Sequence, residues 1–125
     1  MSGLGDNLYT CSIVALGADT GKLKWHFQMT PHDLYDWDSI SNPVLVDLIV
    51  KGQKVKAVIQ ANRNGFFYAL DRASGKLIVA KPYTKATWAD AIRPDRRPNL
   101  ISGQEPTEEG NKACPCERSG VEAAC

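Results

Sequence analysis

The chain has 125 residues, and its 15 lysine and arginine residues are nearly balanced by 14 aspartate and glutamate residues. This length suits one domain or part of one, and the formal net charge of +1 indicates neither a nucleic-acid-binding surface nor an acidic solvating tail. No stretch approaches the ~18 apolar residues of a membrane span, and the first residues lack the basic and apolar regions of a signal peptide.

Two segments of the chain repeat each other at an offset of 54 residues, residues 15–25 and residues 69–79. In each, an apolar run ends at Ala-Leu, a polar stretch with Thr or Ser before Gly forms a turn, and Lys-Leu opens the next run. Short strands that recur roughly every 40–55 residues are typical of a β-propeller.

The residues between the two copies supply a four-stranded blade. Apolar or alternating runs predict strands at residues 44–50, 55–60, 66–70 and 76–80, with turns at residues 51–54 and 62–65. Residues 43–80 therefore predict one whole blade, and residues 8–28 predict the last two strands of the blade before it. The expected fold is all-β, with about one and a half four-stranded antiparallel blades, whereas a closed propeller needs roughly 4–8 blades.

The end of the chain is predicted to be an irregular C-terminal tail. Residues 90–119 are rich in charge, proline and glycine and show neither a strand nor a helix period. Trp88 is more typical of a packing anchor than of a binding platform. We therefore divide the chain into a partial propeller at residues 1–80 and a tail at residues 81–125.

The four cysteines indicate neither a zinc site nor a disulfide framework. Cys114, Cys116 and Cys125 crowd into the last twelve residues, far from Cys11. The Cys-Pro-Cys spacing lacks the two-residue gap of structural zinc sites, and a disulfide framework would distribute its cysteines along the chain. The cysteines therefore do not indicate whether the protein resides in an oxidising or a reducing compartment.

The loop after the first predicted strand pair carries the main candidate site residues. It places an imidazole and three carboxylates within seven positions: His32, Asp33, Asp36 and Asp38. Such a cluster is commonly a solvated loop with Asx turns. However, Tyr35 and Trp37 flank Asp36, which predicts a carboxylate held between aromatic walls that tune its pKa. Asp36 and Asp38 are two apart, so in an extended segment both can converge on one cation.

A second candidate is the turn Asn62-Arg63-Asn64-Gly65. The Arg63 guanidinium beside a glycine turn could reach a carbonyl or carboxylate group with its planar donors. An asparagine-rich hairpin turn with an exposed arginine explains the same residues. The residues alone leave both interpretations open.

Taken in chain order, these motifs resemble the quinoprotein alcohol dehydrogenases. The series runs from Gly5-Asp6-Asn7-Leu8-Tyr9-Thr10 through residues 19–25, 30–38 and 61–65 to Leu70-Asp71-Arg72. The resemblance covers about residues 5–110 and implies an internal fragment of a PQQ-dependent enzyme with an eight-bladed propeller and a central metal, calcium or a lanthanide. The first copy of the repeat resembles the family's tryptophan-docking motif, in which the indole, here Trp25, lies between neighbouring blades.

The resemblance also implies roles for three residues. Asp36 stands at the position of the family's catalytic aspartate, and Asp38 stands where lanthanide-dependent members have an additional metal ligand, so both are candidate metal ligands. Arg63 stands where an arginine contacts the quinone oxygens of PQQ. The implied reaction moves a hydride from an alcohol to the quinone while Asp36 takes the hydroxyl proton, and a periplasmic c-type cytochrome then accepts the electrons.

Departures from the family pattern suggest that the isolated chain lacks a complete active site. Val79 replaces the docking tryptophan in the second copy, and residues 112–125 diverge from the family. Two other functions compete with the dehydrogenase. One is a cofactor-free propeller scaffold, which has no reason to carry Asp36, Asp38 and Arg63 at family spacing. The other is a stand-alone metal-binding domain that uses the imidazole and three carboxylates of the first loop.

Overall fold

The computed structural model describes residues 5–104, and all of their regular structure is β-strand. There are eight strands in this range: β1 (Ser12–Leu16), β2 (Leu23–Gln28), β3 (Val44–Val50), β4 (Gln53–Ala61), β5 (Phe66–Asp71), β6 (Leu77–Pro82), β7 (Ala89–Ile92) and β8 (Pro98–Leu100). They form three antiparallel sheets, β1-β2, β3-β4-β5-β6 and β7-β8. The structure has no helix in residues 5–104 that is long and apolar enough to cross a membrane.

The central sheet β3-β4-β5-β6 is an uninterrupted meander in which each strand pairs with the next. Lys51 and Gly52 form the two-residue turn between β3 and β4, and both have positive φ angles, 51° and 81°. Such a pair is typical of the hairpin turns whose twist matches that of the strands. The sheet confirms the four-stranded blade predicted for residues 43–80.

The sheet β1-β2 contacts the central sheet through Trp25. The Trp25 indole Nε1 donates a hydrogen bond of 3.1 Å to the backbone oxygen of Arg72, in the turn between β5 and β6. The indole ring also lies directly on Gly75 of that turn, where an added Cβ would be 2.6 Å from the ring. The expectation that Trp25 lies between two neighbouring sheets is therefore confirmed.

The core lies where the central sheet meets the end of β2, the loop after it and the segment before β7. Phe66, Tyr68 and Leu70 alternate along β5, and their side chains are fully buried. Phe27 of β2 meets Tyr68 edge to face, with ring centroids 5.6 Å apart. Trp88 is only 1% exposed, which confirms the prediction that it anchors packing.

The segment after β6 differs from the sequence prediction. Residues 90–104 were expected to be irregular, but Ala89–Ile92 and Pro98–Leu100 form the hairpin β7-β8. Strands of four and three residues are too short to show an alternating pattern among prolines and arginines. Tertiary contacts hold the hairpin instead, because Ala89 is buried in the core and Arg97, next to β8, forms an ion pair with Asp6 (2.6 Å). Residues 105–125, including the divergent segment 112–125, lie outside the described residues.

Several apolar side chains of the sheets face solvent. On β3, Leu45 is 62% and Ile49 is 74% exposed, and Leu16 and Leu23 are exposed on the β1-β2 sheet. Four-stranded blades normally cover such faces by stacking against further blades. The all-β architecture, with one four-stranded sheet and a two-stranded sheet before it, agrees with the predicted fold class.

Candidate functional site

Asp33 organises the loop between β2 and β3 that carries the candidate carboxylates. Its Oδ1 accepts a hydrogen bond from the Tyr35 amide (2.8 Å), and its Oδ2 accepts one from the Trp37 amide (2.9 Å). The Cys11 thiol also points at Oδ2, with Sγ 3.3 Å away. With three donors around it, Asp33 holds the loop in shape and is not a free ligand.

Cys11 closes the same loop from the side of the β1 strand. Its Sγ lies 2.9 Å from the Trp37 carbonyl oxygen and 3.3 Å from Asp33 Oδ2, so the single thiol proton has two acceptors within reach. Burial, followed by the hydrogen bond to Asp33, raises the pKa of Cys11 to about 12. The thiol therefore stays protonated at neutral pH, so Cys11 serves the loop as a donor and is a poor nucleophile.

The expected aromatic walls around Asp36 are not present. Tyr35 and Trp37 stack on each other, with ring centroids 4.2 Å apart and planes at 8°, and Trp37 packs edge-on against Trp88 in the core. Asp36 has a φ of 57° and its side chain is exposed. Because the hydrogen bonds to Asp33 curl the segment, both rings turn inward and Asp36 turns outward. The segment is therefore not extended at Asp36, contrary to the sequence prediction.

Asp36 and Asp38 nevertheless line one open concavity of about 660 Å³. Its wall is formed by Asn7, Thr10, Cys11, Asp33, Leu34, Asp36, Asp38 and Ser39. Neither the Asp36 nor the Asp38 carboxylate makes a hydrogen bond or ion pair with any residue in 5–104, so their oxygens are available to a ligand. Carboxylate oxygens suit hard cations such as calcium. The donor chemistry here thus fits a metal, although two carboxylates do not complete a coordination shell.

The stand-alone metal domain is not supported by these positions. Among residues 5–104 no group of three or more histidine, cysteine, aspartate or glutamate side chains could hold an ion. The Asp33 carboxylate already accepts hydrogen bonds from two amides of the loop, and His32 Nδ1 lies 2.6 Å from the Gly5 carbonyl oxygen. His32 lines a different concavity, together with Arg93 and Arg97.

Arg63 lies at the tip of a turn between β4 and β5 that is held by two fully buried asparagines. The side chain of Asn62 accepts from the Asn64 amide, and that of Asn64 accepts from the Phe66 amide, both at 3.1 Å. The turn is thereby fixed, while the Arg63 side chain is exposed. Within the described range, its guanidinium makes no hydrogen bond or ion pair and remains available to a ligand.

Asn64 ties this turn to the core and to the start of the other loop. Its side-chain Nδ2 donates to the Tyr68 hydroxyl (2.9 Å) and to Thr30 Oγ1 (3.1 Å). Its backbone carbonyl accepts a hydrogen bond from Trp88 Nε1 at 2.7 Å. Burial raises the pKa of Tyr68, so its hydroxyl remains a neutral hydrogen-bonding group. Sequence reasoning did not assign these supporting roles. The Asn-x-Asn pattern around Arg63 is the sequence signal that points to the role of Asn64 in fixing this turn.

The concavity and the exposed arginine belong to a fold that other proteins share. Residues 3–87 match the family model described as the PQQ glucose, ethanol and alcohol dehydrogenase β-propeller domain. The chain therefore belongs to this family of PQQ-dependent dehydrogenases.

Individual relatives make the match more specific. The chain is 45% identical over 109 residues to the quinohemoprotein alcohol dehydrogenase ADH IIB of Pseudomonas putida, covering 83% of this chain and 16% of the relative. It is 41% identical over 106 residues to the lanthanide-dependent methanol dehydrogenase of Methylacidiphilum fumariolicum, covering 85% and 17%. A solved europium-containing methanol dehydrogenase superposes with a TM-score of 0.78 at 42% identity, over 81% of this chain and 18% of that one. The chain thus spans about one sixth of the relatives' length.

Proposed function

We propose that this chain forms part of the active site of a PQQ-dependent alcohol dehydrogenase. In this proposal Asp36 is the base that takes the alcohol's hydroxyl proton, and Asp36 with Asp38 holds calcium or a lanthanide. Arg63 binds the quinone oxygens of PQQ. The observation that carries the proposal is that these three groups, and not Asp33, leave their charges free of internal partners within residues 5–104.

The geometry gives each residue a chemical task. When bound, PQQ supplies the quinone that accepts a hydride, and the metal supplies a Lewis acid. Asp36 projects into an open concavity, where a carboxylate can accept a proton from a bound alcohol. A cation shared with Asp38 would offset the negative charge of both carboxylates. The Arg63 guanidinium can stabilise negative charge that develops on a bound quinone oxygen.

Partners and location follow from the same proposal. One relative is named a quinohemoprotein and another a cytochrome c-linked 1-butanol dehydrogenase from Thauera butanivorans. We extend this to a c-type cytochrome as electron acceptor and to a periplasmic location. The substrate class is a small alcohol.

The proposal is tested in a full-length context. In a graft, residues 5–104 of this chain replace the matching segment of the M. fumariolicum methanol dehydrogenase. Asp36→Asn removes the base but little of the cofactor's surface, so we expect turnover to fall at least ~100-fold while most PQQ absorbance remains. Asp19→Asn, an exposed aspartate in the β1–β2 turn, is the matched control and should retain turnover.

A second variant of the graft, Asp38→Ser, tests the proposed metal ligand. Asp38→Ser should weaken activation by lanthanum more than activation by calcium, because a trivalent ion gains more from an added carboxylate. Near-native turnover in Asp36→Asn would show that another group is the base. Equal metal dependence in Asp38→Ser and the parent would remove Asp38 from the metal site.

A further inference from the structure

The proposed site is divided between two connections that are distant in sequence. Asp36 and Asp38 lie on the loop between β2 and β3, whereas Arg63 lies on the turn between β4 and β5. Reaction geometry is sensitive to small displacements, and a misplacement of about 1 Å can cost ~100-fold in rate. Something in the fold must therefore fix the distance between the loop and the turn.

A polar contact joins these two connections directly. Asn62 Nδ2 donates to Ser39 Oγ at 2.8 Å, one residue after Asp38 on one side and one residue before Arg63 on the other. The same Nδ2 donates to Gln60 Oε1 at 3.2 Å, and Gln60 Nε2 in turn donates to the Ser41 carbonyl. The side chains of Gln60 and Asn62, at the end of β4, thus connect the loop to the turn.

The burial of this contact makes its geometry restrictive. Asn62 is 0% exposed and Gln60 is 4% exposed, and no buried side-chain nitrogen or oxygen in the described range lacks a partner. A buried amide that loses its partner is destabilised, so alternative positions of the loop are disfavoured. The Asn62 carbonyl also accepts from the Tyr83 hydroxyl at 3.0 Å, which fixes the turn on its other side.

We propose that Ser39 and Asn62 are positioning residues that set the Asp36–Asp38 loop at a fixed distance from Arg63. This inference rests on the proposed function, because it concerns the same three groups. Ser39 lines the concavity together with Asp36 and Asp38, but its proposed role is to hold the loop and not to contact the alcohol or PQQ. Ser39 is the better probe of the pair, because its hydroxyl is the acceptor that the turn uses, whereas the Asn62 side chain also shapes its own turn.

The test uses the graft and three serine variants. Ser39→Ala removes the acceptor and leaves Asn62 bonded to Gln60, so the fold should survive while the loop loosens. We expect kcat to fall roughly 10–100-fold with less than about a twofold change in KM. Ser39→Thr keeps a hydroxyl and should restore most of the rate. Ser12→Ala removes another hydroxyl bond, from Ser12 Oγ to the Thr10 carbonyl, and should have no effect.

A second readout does not depend on turnover. Hydrogen exchange of the graft without PQQ or metal should become faster in both residues 36–41 and residues 62–65 in Ser39→Ala, and in neither segment in Ser12→Ala. Unchanged kcat and unchanged exchange in Ser39→Ala would overturn the proposal. A lower kcat with unchanged exchange would also overturn it, because the hydroxyl would then act at the site itself. If Asp36→Asn stays active while exchange in both segments responds to Ser39, the proposed function fails and the positioning link stands.

Discussion

At the scale of single residues, hydrogen bonding distinguishes three aspartates that lie within six positions of the chain. Asp33 accepts two backbone amides and faces the Cys11 thiol, so its carboxylate is committed to the loop. Asp36 and Asp38 have no such donors in the described range and line the concavity. The division of labour follows from the loop's curl at Asp36, whose φ is 57°.

The thiol of Cys11 offers a prediction at this scale. In a chain with Cys114→Ser, Cys116→Ser and Cys125→Ser, iodoacetamide at pH 8.5 should alkylate Cys11 roughly 100-fold more slowly in the folded than in the urea-unfolded state. The reason is that the folded pKa of about 12 lies above the ordinary value of 9.0. Mass spectrometry of timed samples measures both rates.

The same pKa shift predicts a pH dependence of stability. Below about pH 9 the thiol is protonated in both states, and its contribution to stability is fully present. As the pH rises from about 9 towards about 12, only the unfolded state ionises, so the urea midpoint should fall. Equal alkylation rates in the two states, or a midpoint that rises over this range, would contradict the buried donor role of Cys11.

At the scale of elements, the contact between Trp25 and Gly75 joins the two-stranded sheet to the central one. Gly75 has a φ of 69° and no room for a side chain, since a Cβ would lie 2.6 Å from the indole. Its counterpart in the first copy of the repeat, Gly21, has a similar φ of 64° but open space around it. The two glycines thus share a backbone requirement and differ in packing.

This difference gives a matched pair of variants. Gly75→Ala should lower the free energy of unfolding by roughly 1–3 kcal/mol more than Gly21→Ala, because only the first forces the indole out of place. Urea unfolding of the graft, followed by tryptophan fluorescence, measures the difference. Equal losses in the two variants would mean that the backbone conformation alone requires glycine and that the Trp25 contact contributes little.

The same elements show what the sequence could reveal. Alternation at Phe66, Tyr68 and Leu70 predicts β5 because one face of that strand is buried. The hairpin β7-β8 has no such pattern, since it depends on the burial of Ala89 and on an ion pair between Arg97 and Asp6, 91 positions apart, which residue order does not reveal. Candidate roles for Asp36, Asp38 and Arg63 come from the resemblance. The two amide bonds to Asp33 are two and four positions away, as in the Asx turns that the sequence suggests, whereas the role of Ser39 depends on Asn62, 23 positions away.

At the scale of the whole molecule, the exposed apolar side chains of β3 set a limit on what the isolated chain can do. Leu45 and Ile49 would be covered only by further structure. We therefore expect the 125-residue chain to self-associate and to show no turnover above buffer with PQQ, calcium or lanthanum, an alcohol and an artificial electron acceptor. Sedimentation velocity and a dye-reduction assay test this. A soluble monomer that turns over would refute it.

Methanol turnover by the graft tests most directly whether residues 5–104 supply the proton acceptor and the cofactor and metal contacts of a PQQ-dependent dehydrogenase. We expect turnover within about 100-fold of the recipient enzyme, dependent on added metal and PQQ, with the Asp36→Asn graft at background. A folded graft that binds PQQ, shown by its quinone absorbance, but turns over methanol no faster than its Asp36→Asn variant would show that residues 5–104 do not supply the proton acceptor.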